Sequence, residues 1–314
     1  MGGVVALTAA SLFAANSVGA AGSIADTNAQ VFSAVHVSKS ATVPKVLNPP
    51  LSSFQTPVTS YRQTGVSLGD ACTPNLTTHA SLIKSPQACT FGNPTASKTI
   101  VLYGDSNVGN WLPALSIGLA TSSYKLSVFL YAGCPSADLH YTVANLAPAA
   151  LATACNTWHA AVERSILAIK PVAILTSSSY ELSKISTADW AAGMKRFYTN
   201  ATGGSRTAKR IILGTTPFFA IPVPTCLARA KLLSQCSLST SSSYGTILKV
   251  RDPAAAAAIG GKVLATSQWF CDATNCPPVV AGNIVAADHD HLTIAASTYL
   301  SGVATRAVLA AVTA

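Results

Sequence analysis

Charge is scarce in this chain. Only 10% of its 314 residues are charged, and acids are the scarcer kind, 11 against 20 bases. The bases are scattered. The densest stretches are Lys195-Arg196, Lys209-Arg210 and Arg229 with Lys231, and no aromatic residues interleave with them. Tracking a phosphate backbone needs a basic run, and stacking bases needs aromatics beside it. The formal net charge of +9 therefore reads as a mildly basic surface, and nucleic acid is excluded as a partner. Zinc knuckles are missing too. No C-x2-C pair occurs, and the tightest cysteine spacing is Cys271 to Cys276. No internal repeat is visible. Past the first two dozen residues, no segment is long and apolar enough to span a bilayer.

Apolar residues, by contrast, make up 49% of the chain. Such a chain buries a large core, which excludes wholesale disorder. Its length suits one large α/β domain or two smaller ones. Eight cysteines fall as four close pairs: Cys72 and Cys89, Cys134 and Cys155, Cys226 and Cys236, Cys271 and Cys276. An even count at loop-like positions reads as disulfides in an oxidising compartment, with sequential pairing the most economical connectivity. The N-terminus points the same way. Residues 1–23 are weakly apolar and carry a small-residue motif near Val18-Gly19-Ala20, yet the first basic residue is Lys39. They read as an atypical signal or as the tail of a membrane segment, and either places the rest outside the cytoplasm.

Residues 24–66 are rich in Ser, Thr, Pro and Asn without a sustained period, and read as a linker. Residues 67–314 read as the main domain, entered through a disulfide-pinned approach segment. From Thr99 the pattern becomes regular. Strands are expected at Thr99–Tyr103, Lys125–Ala132, Pro171–Ser177 and Lys209–Pro217, with a short fifth at Asn283–Asp288. Helices are expected at Asn107–Leu119, Leu151–Lys170, Ala188–Thr199, Asp252–Ala265 and Leu292–Val312. Strands alternating with helices predict a parallel five-stranded sheet in a three-layer α/β/α sandwich. Ligands of such sheets bind beyond the carboxyl ends of the strands. The polar residues there are Asp105-Ser106, Gly133, Ser177 to Glu181, Thr215-Thr216 and Asp288 to His291.

Gly104-Asp105-Ser106 closes the first of these strands. A serine there meets free backbone amides and the positive end of the next helix, which favour a nucleophile developing negative charge. It could equally be a helix cap. Far downstream lies Asp288-His289-Asp290-His291. A histidine acting as general base needs a carboxylate to fix its tautomer, and D-x-x-H spacing brings the two within one turn. The same four residues also offer metal-ligand types, but no further ligands accompany them, and no metal or other cofactor is expected. His79, His140 and His159 are isolated and read as surface or capping residues, and Glu181 as a solvated loop residue.

Together these motifs resemble the SGNH (GDSL-like) hydrolase superfamily. The segments LYGDSNVGNWLPAL, YAGCP, CNTWHAAV and DHDHLT, with the cysteine pairs, are similar to the SGNH domain fused to membrane acyltransferase family three proteins. The resemblance implies a flavodoxin-like sheet. It implies Ser106 as nucleophile, His291 as general base and Asp288 as its orienting acid. The amides of Ser106 and Gly133 become oxyanion-hole donors. Asn107, Asn110, Ser177 and Ser178 are expected to touch substrate. Two positions depart from the family's spelling. Asn107 stands where GDSH has histidine, and the stretch Thr176–Leu182 lacks the superfamily's Asn. That Asn would supply an oxyanion donor worth about 3 kcal/mol by analogy, and Ser177 to Ser179 are the candidates to replace it. The implied function is an extracytoplasmic serine esterase or O-acyltransferase. It would handle O-acyl groups, acetyl foremost, on cell-surface glycan or peptidoglycan. Its implied partner is a membrane acyltransferase, separate or fused. The alternatives are a catalytically weak glycan-binding domain and a secreted GDSL-type lipase.

Overall fold

A computed structural model describes residues 24–139, 149–179, 185–241, 245 and 247–314. His140, Glu181 and the N-terminal stretch 1–23 lie outside these residues.

The central sheet has six strands. They are β1 (Cys89–Gly92), β2 (Lys98–Gly104), β3 (Tyr124–Leu130), β4 (Ala173–Ser177), β5 (Lys209–Leu213) and β7 (Lys262–Leu264), in the order β1-β3-β2-β4-β5-β7. The last five are parallel, and their order is that of a flavodoxin-like sheet. β1 adds an antiparallel edge against β3. A parallel five-stranded sheet is present as expected, but only four of its strands are the expected ones, and β7 and the edge strand β1 come from segments not read as strands.

Side chains of β2 alternate between two cores, as a strand's period of two requires. Ile100 and Leu102 face one core, shared with the helices Leu112–Gly118 and Ser301–Thr313. Val101 and Tyr103 face the other, built from Ala149–Ile169, Thr187–Thr202 and Asp252–Ile259. Three layers result. Strand order reverses at β2, so its carboxyl end is the switch point where ligands of such sheets bind.

Four expected elements differ. The helix expected at Asn107–Leu119 is a 3-10 turn, Ser106–Asn110, followed by the helix Leu112–Gly118, and the one expected at Leu292–Val312 is broken into Ile294–Tyr299 and Ser301–Thr313. The helix from Asp252 stops at Ile259, where Gly260 takes a left-handed conformation (φ 62°). Lys262–Leu264 then pairs with β5 as the fifth parallel strand. The expected strand at Asn283–Asp288 contributes only β10 (Asn283–Ile284), in a two-stranded ladder with β9 (Val279–Val280) outside the sheet. A second small ladder joins β6 (Leu238–Ser239) and β8 (Asn275–Cys276).

The segment read as a linker carries structure. Helix α1 (Asn28–Val35) buries Val31 and Val35 completely, and α2 (Pro57–Arg62) is capped by Thr56 and opened by Pro57. The four disulfides pair sequentially, as expected. No helix among the described residues is long and apolar enough to cross a membrane.

Candidate active site

Gly104 ends β2 with φ 147°, and a Cβ there would collide with the Ser177 carbonyl of β4. Only glycine lets the chain leave the sheet so tightly. Asp105 follows and caps the 3-10 turn Ser106–Asn110. Its carboxylate accepts the Asn107 N–H at 2.9 Å and the Ser179 N–H at 2.9 Å. The capping role thus belongs to Asp105, which leaves the Ser106 hydroxyl unclaimed by that task.

The Asp288–His291 loop folds on its own carboxylate. Asp288 Oδ1 accepts the backbone N–H groups of Asp290 (3.0 Å) and His291 (2.9 Å), and Oδ2 meets His291 Nδ1 at 2.7 Å. The D-x-x-H spacing does bring acid and imidazole together. Asp290 adds a second carboxylate, its Oδ1 3.6 Å from the same Nδ1. Burial alone would lower the His291 pKa, but the Asp288 hydrogen bond and the charges of Asp290, Asp288 and Asp105 override it and raise the pKa to about 9. Against its own burial, Asp288 is lowered by its hydrogen bonds and by the His291 charge. His291 Nε2 is buried and makes no hydrogen bond among the described residues.

Ser106, Asp288 and His291 line one cavity of about 510 Å³, within the ~300–1,000 Å³ range of small-ligand sites. Ala132 also lines it, whereas its neighbour Gly133, exposed at φ 76°, does not.

The four residues expected to touch substrate do not reach the cavity. Asn107 and Asn110 are fully buried. Asn107 Nδ2 donates to Asp290 Oδ2 at 3.0 Å. Asn110 Nδ2 donates to Thr216 Oγ1 and to the Asp290 carbonyl, and Asn110 Oδ1 accepts the Leu292 N–H at 2.8 Å. Ser177 Oγ accepts from Trp111 Nε1, and Ser178 Oγ bonds Ser136. Each lies behind the site because its polar atoms tie one loop to the next. The same holds for the hydroxyls put forward to replace the missing Asn, since Ser179 Oγ donates to Asp290 Oδ2 at 2.9 Å. His159, read as a surface residue, is buried and pairs with Tyr103 Oη at 2.6 Å.

Sequence reading missed Asp290 as the hub of this network. Its signal was a second acid inside the D-x-x-H, which reads equally as a solvated loop. It also missed the cavity wall formed by residues 54–66, because no motif marks it.

The family model described as SGNH domain (fused to AT3 domains) matches residues 71–306. The chain belongs to this family. Membership supports acyl transfer or ester hydrolysis in general for this SGNH domain. No curated protein matches it. Among solved structures it is similar to the periplasmic domain of a lipopolysaccharide acetyltransferase from Salmonella ser. Paratyphi A. The identity is 15% and the TM-score 0.57, over 82% of this chain and 99% of that one. At that identity the likeness speaks for the fold alone, and it agrees with the α/β/α layering of the SGNH domain.

Proposed function

We propose that this SGNH domain is a serine esterase or O-acyltransferase of the cell exterior, working through an acyl-Ser106 intermediate. The observation that carries the reading is one cavity lined by Ser106, Asp288 and His291. In it His291 Nδ1 is held by Asp288, and Nε2 makes no hydrogen bond among the described residues. In the first half-reaction Ser106 Oγ bonds to the acyl carbon and its proton passes to His291 Nε2. The Ser106 amide receives the oxyanion, and the Gly133 amide, expected beside it, lies outside the cavity lining. The tetrahedral intermediate collapses, the C–O bond to the donor alcohol breaks, and that alcohol leaves with the proton from His291. In the second half a sugar hydroxyl or water gives its proton to His291 and bonds to the acyl carbon, the bond from that carbon to Ser106 Oγ breaks, and Oγ takes the proton back from His291. Asp288 keeps the imidazole in the right tautomer throughout. Four disulfides support an oxidising, extracytoplasmic location. The expected acyl group is acetyl, the expected acceptor a cell-surface glycan or peptidoglycan, and the expected partner a membrane acyltransferase that supplies the acyl group.

Hydrolysis of p-nitrophenyl acetate by the full chain tests this. Ser106→Ala is expected to lose at least ~10³-fold in kcat/KM. Equal rates for the two proteins would remove the nucleophile and leave a glycan-binding domain.

A further inference from the structure

We infer that residues 54–66, outside the matched family region, form an acceptor subsite for an uncharged sugar. The inference rests on the acyl-serine reading above and adds the substrate's class. Half of the cavity-lining residues come from this segment, Phe54, Ser60 and Tyr61 among them, and it faces Ser106 and His291 across the cavity. The matched region begins only at residue 71.

The segment is fixed in place. Tyr61 Oη donates to Asp70 Oδ1, and the Gln63 carbonyl accepts the Ile294 N–H at 2.6 Å. Thr64 bridges to Thr293, and Gly65 lies so close to Gly109 that a Cβ on either would collide with the other strand of chain. The wall is therefore docked on the turn that carries Ser106 and on the helix start just after His291. A preorganised wall binds without first being ordered.

Its chemistry selects the ligand. The molecule carries a net charge of +9, yet no Lys or Arg lines the cavity among the described residues. Arg62, on the same helix as Ser60, is exposed and does not line it. An anionic acceptor would sit beside Asp288, and the one cationic ring there, His291, is already paired with Asp288 and Asp290, so the anion would lose solvation without a free cation in return, which is costly. A neutral sugar meets no such cost. Hydroxyl and amide groups on the wall (Ser60 and Gln55 among them) match its hydroxyls. The face of Phe54 and the prolines Pro222 and Pro224 offer apolar surface to its C–H groups. The acceptor hydroxyl then loses its proton to His291 as its oxygen bonds to the acyl carbon, and Ser106 Oγ departs taking that proton from His291.

The test uses the full chain with p-nitrophenyl acetate as donor. The acceptors are methyl glucoside and its charged counterpart methyl glucuronide, with glucose 6-phosphate as a second anion. Acetylated sugar is read by mass spectrometry, and binding of each sugar separately by saturation-transfer NMR. Methyl glucoside is expected to be favoured over the glucuronide by at least about fivefold in both readouts. Ser60→Lys places a cation on the wall and is expected to move that ratio about fivefold toward the glucuronide at low salt. The move should vanish in about 1 M salt, where charges are screened within ~3 Å. A Ser60→Gln control, matched in bulk and helix propensity but uncharged, should leave the preference for the neutral sugar in place. Equal or preferred use of the anions by the unaltered protein overturns the inference, as does failure of every sugar to bind. If sugars bind with the expected preference while Ser106→Ala still hydrolyses the ester at full rate, the subsite stands and the acyl-serine reading falls.

Discussion

His291 stands between two carboxylates, and they do different work. Asp288 meets Nδ1 at 2.7 Å and accepts the loop's own N–H groups, so it sets both tautomer and loop shape. Asp290 stands 3.6 Å from the same nitrogen and is held by Asn107 and Ser179, so its effect on the ring is chiefly its charge. Both hold the proton on His291, whose pKa rises to about 9. A general base works only when neutral. The kcat/KM for p-nitrophenyl acetate is therefore expected to rise with pH through a midpoint near 9. Asp290→Asn keeps the shape and removes the charge, and should move that midpoint down by about one pH unit. An unmoved midpoint would show that Asp290 acts on the loop alone. Asn107, the letter that departs from the family's histidine, gains a role here. It ties the turn of Ser106 to the loop of His291 through Asp290.

At the scale of elements, the site is three loops locked to one another. The β2 exit carries Ser106, the β4 exit carries Ser177 to Ser179, and the 288–291 loop carries His291. Asp105, Asn110, Ser179 and Thr216 join them through buried and half-buried hydrogen bonds. Buried polar groups of this kind are stable only when satisfied, which explains why so many uncharged polar residues sit where no substrate goes. The N-terminal segment adds a fourth piece. It lies on the turn Ser106–Asn110, where a Cβ on Gly109 would stand 2.7 Å from the Val66 backbone nitrogen. Gly109→Ala must push the two apart, and is expected to cost about 1–3 kcal/mol. Urea unfolding at constant slope would measure it. A loss near zero would mean that the segment is not firmly seated.

For the whole molecule, protons and disulfides set the conditions of stability. Burial raises Asp105 from 3.8 to about 7 and Glu163 from 4.5 to about 7, while His291 goes from 6.5 to about 9. Between each pair of values the folded state holds more protons than the unfolded chain. Stability from these groups therefore falls as pH rises. Asp288 acts in reverse: its lowered pKa stabilises above the unfolded value and is lost in acid. The midpoint of urea unfolding is expected to fall steadily from about pH 5 to about pH 9. A flat profile would refute the buried-proton account of Asp105 and His291.

The sequence by itself determined the layers, the parallel alternation of elements and the two motifs of the site, and it favoured the sequential cysteine pairing that the tertiary structure then decided. Each of these rests on local pattern: apolar periodicity, short loop closure, a glycine before Asp-Ser, and a D-x-x-H that closes within one turn. It missed β7 because three residues after Gly260-Gly261 continue the apolar texture of the helix before them. It missed the edge strand β1 because Cys89–Gly92 is as short and half-buried as a loop. It took Asn107, Asn110, Ser177 and Ser178 for substrate contacts because polar residues near a nucleophile look the same in sequence whether they face the cavity or away from it. Only the tertiary structure decided that, along with the wall of residues 54–66 and the second carboxylate on His291. These depend on contacts between segments far apart in the chain, as between Gln63 and Ile294, and such contacts leave no period in it.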